Sequence, residues 1–213
     1  MKKFLLGAWL FLSTSLALAQ MPEKTRQEVA QAIQQGNYEH AVQLLQLWAK
    51  RGDAHAQSSL GVMYHDGRGV AQSYAKARAW WEKAAAQGDA YAQLNLGLMY
   101  YDGQGITQND AKAREWWEKA ADQGHARAQF SLGMMYYHGQ SVTQDYARAR
   151  EWWEKAAARG DADAQFSLGA MYENGEGIAK DLSKAREWYE QAAAQTENAA
   201  AERRARQALE EMR

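Results

Sequence analysis

The chain has 213 residues, 46% hydrophobic and 24% charged, with a formal net charge of −1. That is the balance of an ordinary water-soluble chain, with no strong field to favour nucleic acid or an anionic membrane. It contains no cysteine and one proline, Pro22; the first excludes disulfides, thiol catalysis and cysteine-ligated metals, and the second leaves the chain free to be helical nearly throughout.

Residues 1–19 have the layout of a secretory signal. Lys2 and Lys3 form a basic start, Phe4 to Leu12 an apolar stretch, and Ala17-Leu18-Ala19 a small-residue cleavage pattern ahead of Gln20. The apolar stretch falls short of the ~20 residues that a spanning helix needs. Removing the leader takes two lysines with it and leaves 23 basic against 26 acidic side chains. A periplasmic or secreted protein is expected, without stable membrane insertion once the leader is cut.

Residues 20–52 predict a short helical hairpin that opens the array. A 36-residue repeat follows without gaps. Trp80-Trp81, Trp116-Trp117, Trp152-Trp153 and Trp188-Tyr189 recur at that step, as do Gly61, Gly97, Gly133 and Gly169, and Tyr64, Tyr100, Tyr136 and Tyr172. The units are set at 53–88, 89–124, 125–160 and 161–197. Each predicts two helices. Asp53, Asp89, His125 and Asp161 stand before the first; Ser73, Asn109, Asp145 and Asp181 stand before the second. Short polar side chains there can accept a free backbone N–H, His125 being the weakest of the set. Glycine turns end the first helix at Asp66-Gly67-Arg68-Gly69, Asp102-Gly103-Gln104-Gly105 and Glu173-Asn174-Gly175-Glu176-Gly177. The third unit departs from this with Gly139-Gln140-Ser141. If Ser141 must take a left-handed conformation it costs about 1 kcal/mol. Residues 198–213 predict a closing helix with Ala201, Ala205, Ala208 and Met212 on one face, since a terminal unit has one flank in water.

Segments such as Ala92-Gln93-Leu94-Asn95-Leu96-Gly97-Leu98-Met99-Tyr100, then Gly103-x-Gly105, then Ala113-Arg114-Glu115-Trp116-Trp117-Glu118-Lys119-Ala120-Ala121, resemble the Sel-one-like repeat (SLR) of the tetratricopeptide-like α-solenoids. The resemblance covers residues 53–195. It implies an all-α, right-handed solenoid of stacked antiparallel helix pairs that works by holding other proteins. Some exported relatives are associated with β-lactam binding or hydrolysis; those carry a disulfide in each repeat, and this chain has no cysteine.

Wound at about 100° per residue, the first helix of the second unit carries two stripes. Ala92, Leu96, Met99 and Tyr100 form one that is constant between units and is expected to be core. Tyr91, Leu94, Leu98 and Tyr101 lie roughly opposite. This second stripe varies: His55, Ser58, Val62, His65 in the first unit, Arg127, Phe130, Met134, Tyr137 in the third, Asp163, Phe166, Ala170, Glu173 in the fourth. A packing column keeps its size from copy to copy, whereas a binding column is free to diverge. If the first helices line the concave surface, as in helical solenoids generally, the second stripe makes a groove with aromatic and methionine character for a peptide or helix of another protein. The candidate contacts are Tyr91, Leu94, Leu98, Tyr101, Arg127, Phe130, Met134, Tyr137, His138, Phe166 and Glu173. Two readings stand for Leu94, Phe130 and Phe166: groove, or packing against the next unit. Arg78, Arg114, Arg150 and Arg186 precede Glu82, Glu118, Glu154 and Glu190 by four residues and read as helix-surface ion pairs.

No catalytic pattern emerges. The five histidines show no His-Glu-x-x-His spacing, the acidic turns lack the alternating ligands of a calcium loop, and the Gly-x-Gly loops follow helices rather than strands. No enzyme activity, cofactor or metal is expected. The leading expectation is a protein or peptide partner held by a non-catalytic scaffold. Alternatives are an exported immunity or inhibitor protein, and attachment to envelope or cell-wall glycan through exposed aromatic rings.

Overall fold

The computed structural model describes residues 20–195 and 198–212; the predicted leader lies outside them. Among the described residues there are eleven helices and no strand. Helices α1 (Glu23–Gln34) and α2 (Tyr38–Lys50) form the opening hairpin. The four units follow as α3 (Ala54–Asp66) with α4 (Tyr74–Ala86), α5 (Ala90–Asp102) with α6 (Asp110–Asp122), α7 (Ala126–His138) with α8 (Tyr146–Ala157), and α9 (Ala162–Asn174) with α10 (Leu182–Ala193). Helix α11 (Ala199–Glu211) closes the array. No helix among the described residues is long and apolar enough to cross a membrane.

The helix boundaries follow the cap chemistry. Asp53, Asp89 and Asp161 accept the backbone N–H of Ala56, Ala92 and Ala164 at 2.6, 2.7 and 2.8 Å. Ser73, Asn109, Asp145 and Asp181 do the same for the second helices. His125 is the exception, making no side-chain cap bond. Its Nδ1 is buried with no hydrogen-bond partner among the described residues, and burial lowers its pKa. Gly67, Gly103, Gly139 and Gly175 end the first helices in the left-handed region, each donating its N–H to the methionine carbonyl four residues back.

Within a unit the second tryptophan of the pair is the main packing element. Trp81, Trp117 and Trp153 are each 2% exposed. The indole lies flat on the glycine of the first helix: a Cβ built on Gly61, Gly97 or Gly133 would fall closer than 3.0 Å to its five-membered ring. The ring N–H donates to the backbone oxygen of Ser58, Leu94 or Phe130 at 3.0, 3.3 and 3.2 Å. Tyr189 takes this place in the fourth unit and sends its hydroxyl to Glu173 at 2.7 Å instead. The first tryptophan of each pair is half-buried, packed on the preceding unit, and lysines lie over Trp80, Trp116 and Trp152 at 4.3, 4.1 and 4.1 Å.

Between units the join is partly polar. Gln57, Gln93, Gln129 and Gln165 are buried and donate to the carbonyls of Ala49, Ala85, Ala121 and Ala157, at the end of the previous second helix. Burial without those bonds would cost about 1–3 kcal/mol for each amide. The expected ion pairs form at Arg78–Glu82, Arg114–Glu118 and Arg150–Glu154, all at 3.5 Å. Arg186 instead donates to the Met212 carbonyl at 3.0 Å and ties down α11, whose Ala201 and Ala205 are buried.

The loop after each first helix lands on the start of the preceding second helix. Gly69, Gly105 and Gly177 press on Tyr38, Tyr74 and Tyr146, so closely that a Cβ would come within 3.0 Å of them. All three have positive φ. Ser141 holds the fourth such position with φ 54°. Beneath it stands Asp110 rather than tyrosine, and the serine hydroxyl donates to that carboxylate at 3.1 Å. The two departures from the repeat are one matched pair.

Candidate functional site

On one side of the stack α3 meets α5, and α9 meets the closing helix α11. That side is the inner face, and the variable stripe is spread along it. Tyr91 is 64% exposed, the highest value among the large apolar and aromatic side chains described. Arg127 and His138 are exposed, and Leu98 and Met134 are half-buried.

Elsewhere on the stripe the structure shows packing. Leu94 is buried in the cluster that holds Trp117. Phe130 stacks on Trp153 with ring centres 6.3 Å apart, and Phe166 tilts on Tyr189 at 5.3 Å. Guanidinium groups also lie over both rings: Arg127 4.7 Å over Phe130, and Arg204 of α11 4.7 Å over Phe166. One helix face therefore serves its own hairpin, and the opposite face packs on the second helix of the preceding unit.

Tyr101, Tyr137 and Glu173 occupy a single column, and the structure gives each an internal partner. The Tyr101 hydroxyl donates to Gln140 at 2.9 Å, and that of Tyr137 donates to Glu176. Both bonds cross to the loop of the next unit. In the first unit His65 meets Gln104 in the same way at 2.8 Å. Burial and the Glu176 carboxylate push the Tyr137 pKa up to about 12.

Asp163 gathers charge at the C-terminal end of this face. Arg127 donates to it at 2.6 Å, Asn198 at 2.9 Å, and Arg204 also pairs with it. Burial alone would raise its pKa, but the bonds and charges of Arg127 and Arg204 outweigh burial and hold it below the ordinary carboxylate value. A depressed pKa means stability that is fully present above the unfolded value, near 3.9, and lost as pH falls through the folded one. Neighbouring Asp161 acts oppositely, its pKa being raised by burial. We predict that Asp163→Asn lowers the melting temperature at pH 7 and flattens its decline below about pH 4. Parallel melting curves for variant and parent between pH 2 and 7 would show that the carboxylate contributes no such term.

The inner face thus has two halves. From α7 onward it is closed by Arg127, Asp163 and Arg204. Across α3 and α5 it is open, with a cavity of about 240 Å³ lined by His55, Ser58, Ser59, Val62, Tyr91 and Asn95. Ser59 and Asn95 lie one position past the variable stripe, and the helical wheel alone did not single them out. Their signal was the column Ser59, Asn95, Ser131, Ser167, polar throughout in the middle of apolar helices. Among the described residues no three His, Asp or Glu side chains gather as a metal site would need.

Comparison with known proteins gives a consistent picture. The sequence matches the Sel1 repeat family at residues 31–53, 54–89, 90–125, 126–161 and 162–196. The first of these matches lies within the opening hairpin. No curated protein matches the chain. Among solved structures, a Sel1 repeat protein from Oxalobacter formigenes is 41% identical with a TM-score of 0.70, covering 80% of this chain and 49% of its own. A protective antigen of uropathogenic Escherichia coli, described as having an SLR fold, is 35% identical with a TM-score of 0.74, covering 88% of this chain and 41% of its own. The chain thus spans less than half the length of these two proteins. An immunity protein from Pseudomonas aeruginosa, Pa5087, shares the fold at 17% identity, with a TM-score of 0.61, covering 92% of this chain and 84% of its own.

Proposed function

Because the chain belongs to the Sel1 repeat family, we propose that it is an exported, non-catalytic scaffold that holds a peptide or helix of another protein on the open half of its inner face. The observation that carries this reading is the contrast along one column. Among the described residues His55 and exposed Tyr91 make no cross-unit ion pair, Tyr91 meeting the His125 ring edge-on at 4.7 Å, whereas Arg127 and Asp163, in the same column, pair with each other. An exposed aromatic beside an apolar hollow suits recognition, since both lose water when a partner covers them. Tyr91 and Leu98 are the contacts this reading retains; Met134 and His138 lie on α7, in the closed half. Arg127, Phe130, Phe166 and Glu173 serve the internal closure, and Leu94, Tyr101 and Tyr137 hold neighbouring units in place.

Affinity capture from envelope fractions tests the proposal, with Tyr91→Ala compared against Glu151→Ala on an exposed second helix. A protein retained by the parent and by Glu151→Ala should be lost from Tyr91→Ala. Equal retention by all three would place the contact elsewhere. The chain recovered from the same cells should begin at Gln20.

A further inference from the structure

The cavity across α3 and α5 has a definite origin in the repeat. Ser58 stands where the later units carry Leu94, Phe130 and Phe166. In those units the side chain fills the space beside the buried aromatic ring: Leu94 in the cluster of Trp117, Phe130 on Trp153, Phe166 on Tyr189. In the first unit Trp81 keeps its place and its bond to the Ser58 carbonyl, but serine is too small to fill the space. The remaining walls are Val62 and Ser59 from α3, Tyr91 and Asn95 from α5, and the ring of His55. The lid is missing as well. Arg127 covers Phe130 and Arg204 covers Phe166, whereas the residue three before Ser58 is exposed His55.

We infer that this notch receives a phenylalanine-class side chain from a protein partner, completing in trans the column that Leu94, Phe130 and Phe166 complete in cis. The inference rests on the inner face being the binding surface, and it names one subsite and its chemistry. The size is adequate: an apolar cavity of about 150 Å³ already takes up benzene, and this one measures about 240 Å³. Its occupant would contact Val62 and Tyr91 and would lie beside Asn95, whose side chain donates to the Tyr91 carbonyl at 2.9 Å.

The test titrates the full chain with N-acetyl-phenylalanine amide, N-acetyl-leucine amide and N-acetyl-serine amide, read by amide NMR shifts. The phenylalanine probe should produce saturable shifts at Val62, Tyr91 and Asn95 with a dissociation constant on the order of 1 mM. The leucine probe should bind more weakly and the serine probe not at all. Ser58→Phe fills the notch from inside, so it should abolish those shifts and raise the melting temperature by about 2–4 °C. Ser58→Leu, the residue of the next unit, serves if the larger ring fails to fold. Absence of saturable shifts, equal shifts from all three probes, or shifts that persist in a folded Ser58 variant would each overturn the inference. Loss of a captured partner on Tyr91→Ala, with no phenylalanine-probe binding, would overturn the notch and leave the inner-face reading standing. Saturable probe binding without any partner captured would support the notch and count against the scaffold.

Discussion

Trp117→Ala should lower the unfolding free energy by about 3–5 kcal/mol, the range for truncating a fully buried aromatic. Domain stabilities of roughly 5–15 kcal/mol make that a large fraction of the whole. Three losses combine. The indole is buried to 2%, its N–H bond to the Leu94 carbonyl disappears, and its tilted contact with the Tyr101 ring at 5.4 Å goes with it. The site is also central. A stacked array draws its cooperativity from neighbouring contacts, so a hole in the second unit should uncouple the two ends, and urea unfolding should broaden or split. Trp116→Ala is the control, with the same residue type one position earlier. Trp116 is half-buried beneath Lys119 and should cost well under half as much. Equal losses from the two variants would show that the pair is not divided as the packing indicates.

Gly97→Ala should also destabilise, by about 1–3 kcal/mol, although helix propensity alone favours alanine by about 1 kcal/mol. Gly97 lies inside α5 and needs no unusual backbone angle. Its requirement is space. An added methyl would meet Cδ1 and Nε1 of Trp117 closer than 3.0 Å, and that ring cannot retreat because its far side is buried. The α5–α6 pair would have to part or the indole would have to leave. Urea midpoints compared with the parent decide the sign; a gain in stability would mean that the indole has room to move.

The period, the caps and the glycine turns were legible because each is a column of like residues at one spacing. Which face of the first helix faces water was not. A helical wheel assumes one buried stripe and one wet stripe, whereas α5 and α7 bury residues on both, the constant stripe on the second helix of the preceding unit and the variable stripe on the tryptophan of their own hairpin. Leu94 is buried for that reason, and the tyrosines of the second stripe spend their hydroxyls on the loops of their neighbours. Asp163 was visible only as a variable acid; its partner Arg127 lies one full period earlier in the same column. The Ser141–Asp110 contact was hidden because it joins two columns 31 residues apart. Set side by side, Tyr38, Tyr74, Asp110, Tyr146 and Gly69, Gly105, Ser141, Gly177 change together at one step, and that joint change was the available signal.

The same pair determines how such an array can grow or shrink. Every junction sets one loop residue on one helix residue, and the combinations are unequal. Loss of the first unit would bring Gly105 onto Tyr38, a pairing of the kind already present. Loss of the second would bring Ser141 onto Tyr74, where its hydroxyl loses the carboxylate it bonds. Loss of the third would set Gly177 on Asp110, a loose fit without a clash. A second copy of the first unit would again join glycine to tyrosine, whereas a second copy of the third would set serine on Tyr146, again without that carboxylate. Recombination between these related stretches is therefore filtered by junction, and a second copy of the first unit keeps every junction of a kind already present.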